Sequence, residues 1–136
     1  MTKQFWINLP VKNLDKSIAF FTKLGFSVQQ QHSSNQAELV IGENRVLIVL
    51  FPEPVFKNFT GNEIADPKQS SEVLFSIDAE SRGEVDEIAK WAVEAGGMIY
   101  SEPAEHQGWM YGCGFADLDG HRWNALYMDM SKLREE

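Results

Sequence analysis

Cysteine occurs once in the 136 residues, at Cys113, so the chain can close no internal disulfide and must hold itself together by apolar burial and hydrogen bonding. Positive charge is scarce as well: 12 Lys and Arg stand against 20 Asp and Glu, a formal net charge of -8. Phosphate backbones need clustered Lys and Arg, so nucleic acid is excluded as a partner, whereas a cationic ligand is compatible with the acidity. No stretch approaches the roughly 20 consecutive apolar residues of a membrane span. The opening Met-Thr-Lys-Gln-Phe-Trp has none of the marks of a signal peptide. These absences, with the unpaired cysteine, predict a cytoplasmic protein. There is also no phosphate loop, no nucleophile–base pair and no cysteine–histidine metal signature.

What is present suits one globular unit, because 43% of the residues are hydrophobic and the length is too short for two ordinary domains. Residues 4–10 alternate Phe5, Ile7 and Leu9 against Trp6, Asn8 and Pro10, the period of a strand with one face in the core. Asn13 is placed to cap a helix whose Leu14, Ile18, Phe21 and Leu24 fall on one stripe, and Gly25 can close it. Three strands are predicted next, over 26–32, 36–41 and 45–51. They are separated by Ser33-Ser34-Asn35 and Gly42-Glu43-Asn44. The last of them, Val46 to Phe51, is apolar on both faces and reads as central in its sheet.

From residue 72 the pattern begins again. A strand over 72–77 leads to Ser81 and Glu84, spaced as a capping box, and a helical stripe of Val85, Ile88, Ala89 and Ala92 that Gly96-Gly97 ends. Strands over 98–101, 109–115 and 122–128 complete it. The chain therefore reads as module 1 over 1–51, a connection over 52–70, module 2 over 71–130 and a charged tail over 131–136. Pro52, Pro54 and Pro67 predict an irregular connection. Its Phe56, Phe59 and Ile64 favour docking against a neighbour over a mobile cover.

The turn Asp117-Leu118-Asp119-Gly120 before the last strand, with the opening Asn8 to Phe21 segment and Leu24-Gly25-Phe26, resembles the vicinal-oxygen-chelate superfamily. That group includes glyoxalase I, bleomycin-resistance proteins and extradiol dioxygenases. The resemblance implies an α+β fold in which two paired βαβββ modules form a curved mixed sheet cup. It also implies a homodimer. In metal-using members, the first and last strands of each module supply His and Glu ligands. Laying Val11 on Ile77 carries these positions onto Trp6, Glu72, Asn124 and the Leu47-Ile48-Val49 run.

Only Glu72 keeps an anionic donor among them, and a divalent ion needs three or four suitable donors, so no metal or other cofactor is predicted. A divalent metal is the alternative. Glu72 is the candidate catalytic residue, as a general base or a cation anchor. Trp6, Asn8, Glu72, Trp109, Tyr111 and Asn124 are the candidate ligand-binding residues, Trp109 and Tyr111 on condition that their strand face is the concave one. His32, His106 and His121 read as surface or structural. The resulting expectation is a small-molecule binder of the bleomycin-resistance type that dispenses with the catalytic metal. A glyoxalase-like lyase, or an isomerase or dioxygenase of the same superfamily, is the alternative.

Overall fold

The computed structural model describes residues 1–30 and 35–133. Its element order realises the expected repeat: β1 (Trp6–Val11), α1 (Leu14–Lys23), β2 (Ser27–Gln29), β3 (Ala37–Ile41), β4 (Val46–Pro52) and α2 (Glu53–Thr60), then β5 (Leu74–Asp78), α3 (Arg82–Glu94), β6 (Met98–His106), β7 (Met110–Ala116), β8 (Arg122–Met128) and α4 (Met130–Leu133). His32 and part of the predicted second strand lie outside the described residues. Each module forms a four-stranded mixed sheet, ordered β1-β4-β3-β2 in the first and β5-β8-β7-β6 in the second. In both sheets the first strand runs parallel to the last, which is central, and the other pairings are antiparallel. Among the described residues, no helix is long and apolar enough to cross a membrane.

The chain divides into two compact units, Met1–Asp66 and Pro67–Glu136. In the first, the Asn13 side chain accepts from Lys16 N at 3.0 Å and caps α1, as its sequence position predicts. At the other end Gly25 takes φ 92 and Phe26 N bonds back to Phe21 O. Helix α1 buries Leu14, Phe20 and Phe21. The strands oppose to it Leu9, Val11, Leu39, Ile48 and Leu50, all buried.

The connection differs from the irregular segment that its prolines predict, because α2 occupies residues 53–60. Pro54 sits in the first turn, where a missing N–H breaks no intrahelical bond, and Gly61 ends the helix in the left-handed region at φ 65. Proline here starts a helix instead of excluding one. Phe59 meets Phe51 edge-on with ring centroids 5.2 Å apart, and Glu53 pairs with Lys12 at 3.2 Å.

In the second unit Ser81 accepts from Glu84 N at 3.1 Å, and the Glu84 carboxylate takes the Glu80 N–H at 2.9 Å. The reciprocal bond thus reaches one residue further back than a standard capping box. Helix α3 lays Val85, Ile88, Ala89 and Ala92 on the sheet. Beneath it lies Trp123, fully buried, stacked on Phe115 at 6.2 Å and tilted against Phe75 at 4.9 Å. Such aromatic contacts add to the area that the rings bury.

Candidate functional site

The second unit is built around the turn between β7 and β8. Gly120 adopts φ 95, a conformation that L side chains rarely take, and a bond from Gly120 N to Asp117 O at 3.0 Å closes the turn. The buried Asp117 carboxylate wires it internally. Its Oδ1 accepts from Asp119 N at 3.1 Å and His121 N at 3.0 Å, and its Oδ2 accepts from Trp123 Nε1 at 3.1 Å. Burial raises the Asp117 pKa, while the neighbouring His121 and the indole hydrogen bond pull it down.

Strand alternation then sorts β8 into two faces. Trp123 and Ala125 point under α3, and Arg122, Asn124 and Leu126 point away from it. On the face away from α3, Asn124 stands between Ser76 of β5 and Gly114 of β7. Gly114 has no side chain because the Tyr100 ring occupies that space: a Cβ there would lie 2.5 Å from it. The Tyr100 hydroxyl donates to Trp123 O at 3.0 Å, and the Arg122 guanidinium sits over the Tyr100 ring at 4.3 Å. Burial raises the Tyr100 pKa and Arg122 partly offsets the shift.

Within this framework Asn124 Oδ1 is shielded from solvent and has no hydrogen-bond partner among the described residues. A buried acceptor left unmade costs about 1–3 kcal/mol, so a native position that keeps one invites a functional reason.

The sequence-predicted residues are distributed differently from expectation. Glu72 is exposed and lies two positions ahead of β5. Leu74 pairs with Arg122, the first residue of β8, so continuing the register would set Glu72 opposite Gly120, inside the turn, where no strand exists to pair with it. The cap-to-cap interval, Asn13 to Ser81, equals the interval from the start of β1 at Trp6 to the start of β5 at Leu74. Leu74 therefore corresponds to Trp6 and Ser76 to Asn8, and it is Ser76 that adjoins Asn124.

Trp6 and Asn8 do share the β1 face turned away from α1, paired with Leu47 and Val49. Trp109 lies in the β6–β7 turn with its indole N–H on Gln107 Oε1 at 3.2 Å. Tyr111 lies on the α3 side, not on an uncovered face: its hydroxyl donates to Asp86 Oδ1 at 2.7 Å and Arg82 lies over its ring at 5.0 Å. Cys113 on the same side contacts Val85 O at 3.9 Å, and burial pushes its thiol up to about 11. His106 is exposed at the end of β6, and His121 is buried in the turn.

Sequence reasoning passed over Tyr100, Arg122 and Ser76. The available signal was a pair of glycines, Gly112 and Gly114, inside an apolar strand, which marks close approach by another group. Here the groups are Leu126 and Tyr100.

Among the described residues, neither unit taken by itself brings together on its sheet face a donor set that fits the divalent ion of the metal-using relatives. Around Asn124 the neighbours are a hydroxyl, a phenol and, next along β8, a guanidinium, which opposes a cation. In the first unit Glu38 pairs with Val49 and Val49 with Asn8, so the carboxylate and the amide stand two strand spacings apart, roughly 10 Å. Asp117, Asp119 and His121 bring donor atoms within 4.8 Å of one another. Asp117 there is already committed to three protein donors.

Comparison with known proteins gives a consistent relationship. Residues 3–125 match the family described as the Glyoxalase/Bleomycin resistance protein/Dioxygenase superfamily. A hypothetical protein of S. aureus shares 32% identity, with a TM-score of 0.85 over 93% of this chain and 94% of that one. A glyoxalase-related enzyme from Fulvimarina pelagi superposes with a TM-score of 0.78 at 15% identity, over 93% and 88% of the two chains. The fosfomycin resistance protein of Listeria monocytogenes gives 0.68 at 19% identity, over 97% and 98%. The last two show likeness of fold alone. No curated protein matches the sequence.

Proposed function

The chain belongs to the glyoxalase/bleomycin resistance/dioxygenase superfamily, and from that premise we propose that it binds a small molecule on the face of its second sheet turned away from α3, without the catalytic metal of its metal-using relatives. The unpartnered Asn124 Oδ1 carries this reading. A ligand hydroxyl or N–H donated to that oxygen would satisfy a buried acceptor that the protein leaves open, with Ser76 and Tyr100 flanking it. Among the described residues no group of three His, Cys, Asp or Glu donors converges on this face, and that, with the adjacent Arg122, supports a metal-free mode of binding.

Pairing of two copies, which the resemblance implies, belongs to the same proposal: Leu74 and Met128, on this face, are 53% and 42% exposed and offer apolar surface to a partner. Light scattering that gives a monomer at tens of micromolar, roughly the range in which weak dimers persist, would count against pairing.

A thermal-shift screen of small hydroxylated and amide-bearing metabolites tests the binding reading, with Asn124→Leu as the diagnostic variant. The expected result is a ligand-induced shift that Asn124→Leu abolishes while the unliganded variant is as stable as the wild type, since an orphaned polar group has been exchanged for an apolar one of similar size. Ligand shifts that persist in a destabilised Asn124→Leu would make Asn124 structural and refute the assignment.

A further inference from the structure

Beside the turn, wholly within the second unit, lies a cavity of about 310 Å3. Its apolar wall comes from Met98, Ala116 and Leu118, and its polar groups are Lys68, Arg122 and Asp117. We infer that this cavity is a subsite for the carboxylate of a small organic monoacid, with Arg122 and Lys68 holding the anion and the apolar wall holding its short carbon chain.

Charge placement is the first support. In a chain of net charge -8, two of the 12 Lys and Arg line this one cavity. The general field of the protein repels anions, so a pair of cations around a concavity creates a local exception.

Positioning is the second. Arg122 makes no ion pair among the described residues; its flat face is taken by the Tyr100 ring at 4.3 Å, which leaves its N–H edge for a planar, two-oxygen acceptor. Lys68 is brought in by the turn itself. A Cβ on Gly120 would lie 2.6 Å from Lys68 Cγ and 3.0 Å from Lys68 N, so the bare glycine is what lets this segment close over the turn.

The wall sets the ligand's charge and size. Asp117 is one of the lining residues, its carboxylate bonded to the Trp123 indole and the backbone of the turn, and a negative group so near makes a dianion less welcome than a monoanion. The volume is at the small end of ligand pockets and suits a body of a few carbons. The cavity adjoins the Asn124 face through Arg122, but the inference does not depend on Asn124.

The test titrates sodium butanoate and butanamide, matched in size and different in charge, into the full chain. Binding is followed by the backbone amide signals of Gly96, Leu118 and Gly120. Butanoate is expected to bind with a dissociation constant on the order of 1 mM, and butanamide about tenfold or more weaker. Arg122→Met and Lys68→Met should each weaken butanoate about tenfold, whereas Lys90→Met, on the exposed side of α3, should change it by less than about twofold. Should Arg122→Met lose the native amide spectrum, Arg122→Gln is read in its place with the same expectation. Equal binding of acid and amide, or butanoate binding indifferent to both cations, would overturn the subsite. Inorganic phosphate binding more tightly than butanoate would overturn the monoanion assignment. These failures leave the Asn124 reading standing, because that reading is judged by the metabolite screen and the Asn124→Leu variant.

Discussion

Replacing Asp117 by asparagine tests whether the turn before β8 is held by one carboxylate. The side chain accepts three hydrogen bonds, two from the backbone N–H groups of Asp119 and His121 and one from the Trp123 indole. An amide has a single acceptor oxygen. If that oxygen stays with the two backbone groups, the NH2 faces Trp123 Nε1, and a buried donor meets a donor. Losing a hydrogen bond to a charged group costs about 1.5–3 kcal/mol, and the two remaining bonds weaken as they become neutral. Relief from burying a charge offsets part of this, leaving a net loss of about 2 kcal/mol at neutral pH.

The pH dependence has a definite sign. Burial raises the folded-state pKa of Asp117, so its contribution to stability is fully present below the unfolded value, about 3.9, and declines as pH rises through the folded value. The wild-type advantage over asparagine should therefore be largest below about pH 4 and smaller above it. Urea unfolding followed by tryptophan fluorescence measures both quantities. A variant within about 0.5 kcal/mol of wild type across this range would refute the assignment of the carboxylate as the organiser of the turn.

Other expectations follow from single contacts. Cys113, buried and raised to about 11, should resist a disulfide reagent in the native protein at pH 8 and react on unfolding; rapid native labelling would contradict its placement under α3. Arg122→Met should move the phenolate absorbance transition of Tyr100 to higher pH, because the guanidinium opposes the effect of burial; an unchanged titration would separate the two groups. Gly114→Ala must displace the Tyr100 ring and should cost about 1–3 kcal/mol, measured by chemical denaturation, and a neutral outcome would mean that the ring moves freely. Dialysis against a strong chelator should leave the melting temperature unchanged, since among the described residues no group of three His, Cys, Asp or Glu donors converges on the faces away from α1 and α3; a lowered value would reveal a structural or bound ion.

Much of the architecture was legible because its signals are local. Asn13 and Ser81 cap the predicted helices, Gly25 and Gly96 close them, and β8 begins and ends where the aromatic run does. The repeat itself emerged from period and punctuation alone. What eluded sequence reasoning depends on partners distant in the chain. Whether Glu72 belongs to a strand is decided by where β8 starts, and the role of Tyr100 by a bulge in β6 that turns its ring over Gly114. Proline was misread for a more local reason: Pro54 looks like a breaker until it is recognised as occupying the one turn of a helix that tolerates it.

The β5–β8 pairing has a consequence for synthesis of the chain. In the second sheet β8 is both the last strand made and the strand that links β5 to β7. The sheet cannot assemble progressively as residues emerge from the ribosome, because β5 lacks its neighbour until residues 122–128 have been translated. The first sheet repeats the arrangement, since β1 has no neighbour until β4 has been made, but its wait ends at Pro52. Until translation passes Met128, β5 and β7 each present an unpaired edge, and a chain cut short before β8 would leave both edges open to intermolecular pairing.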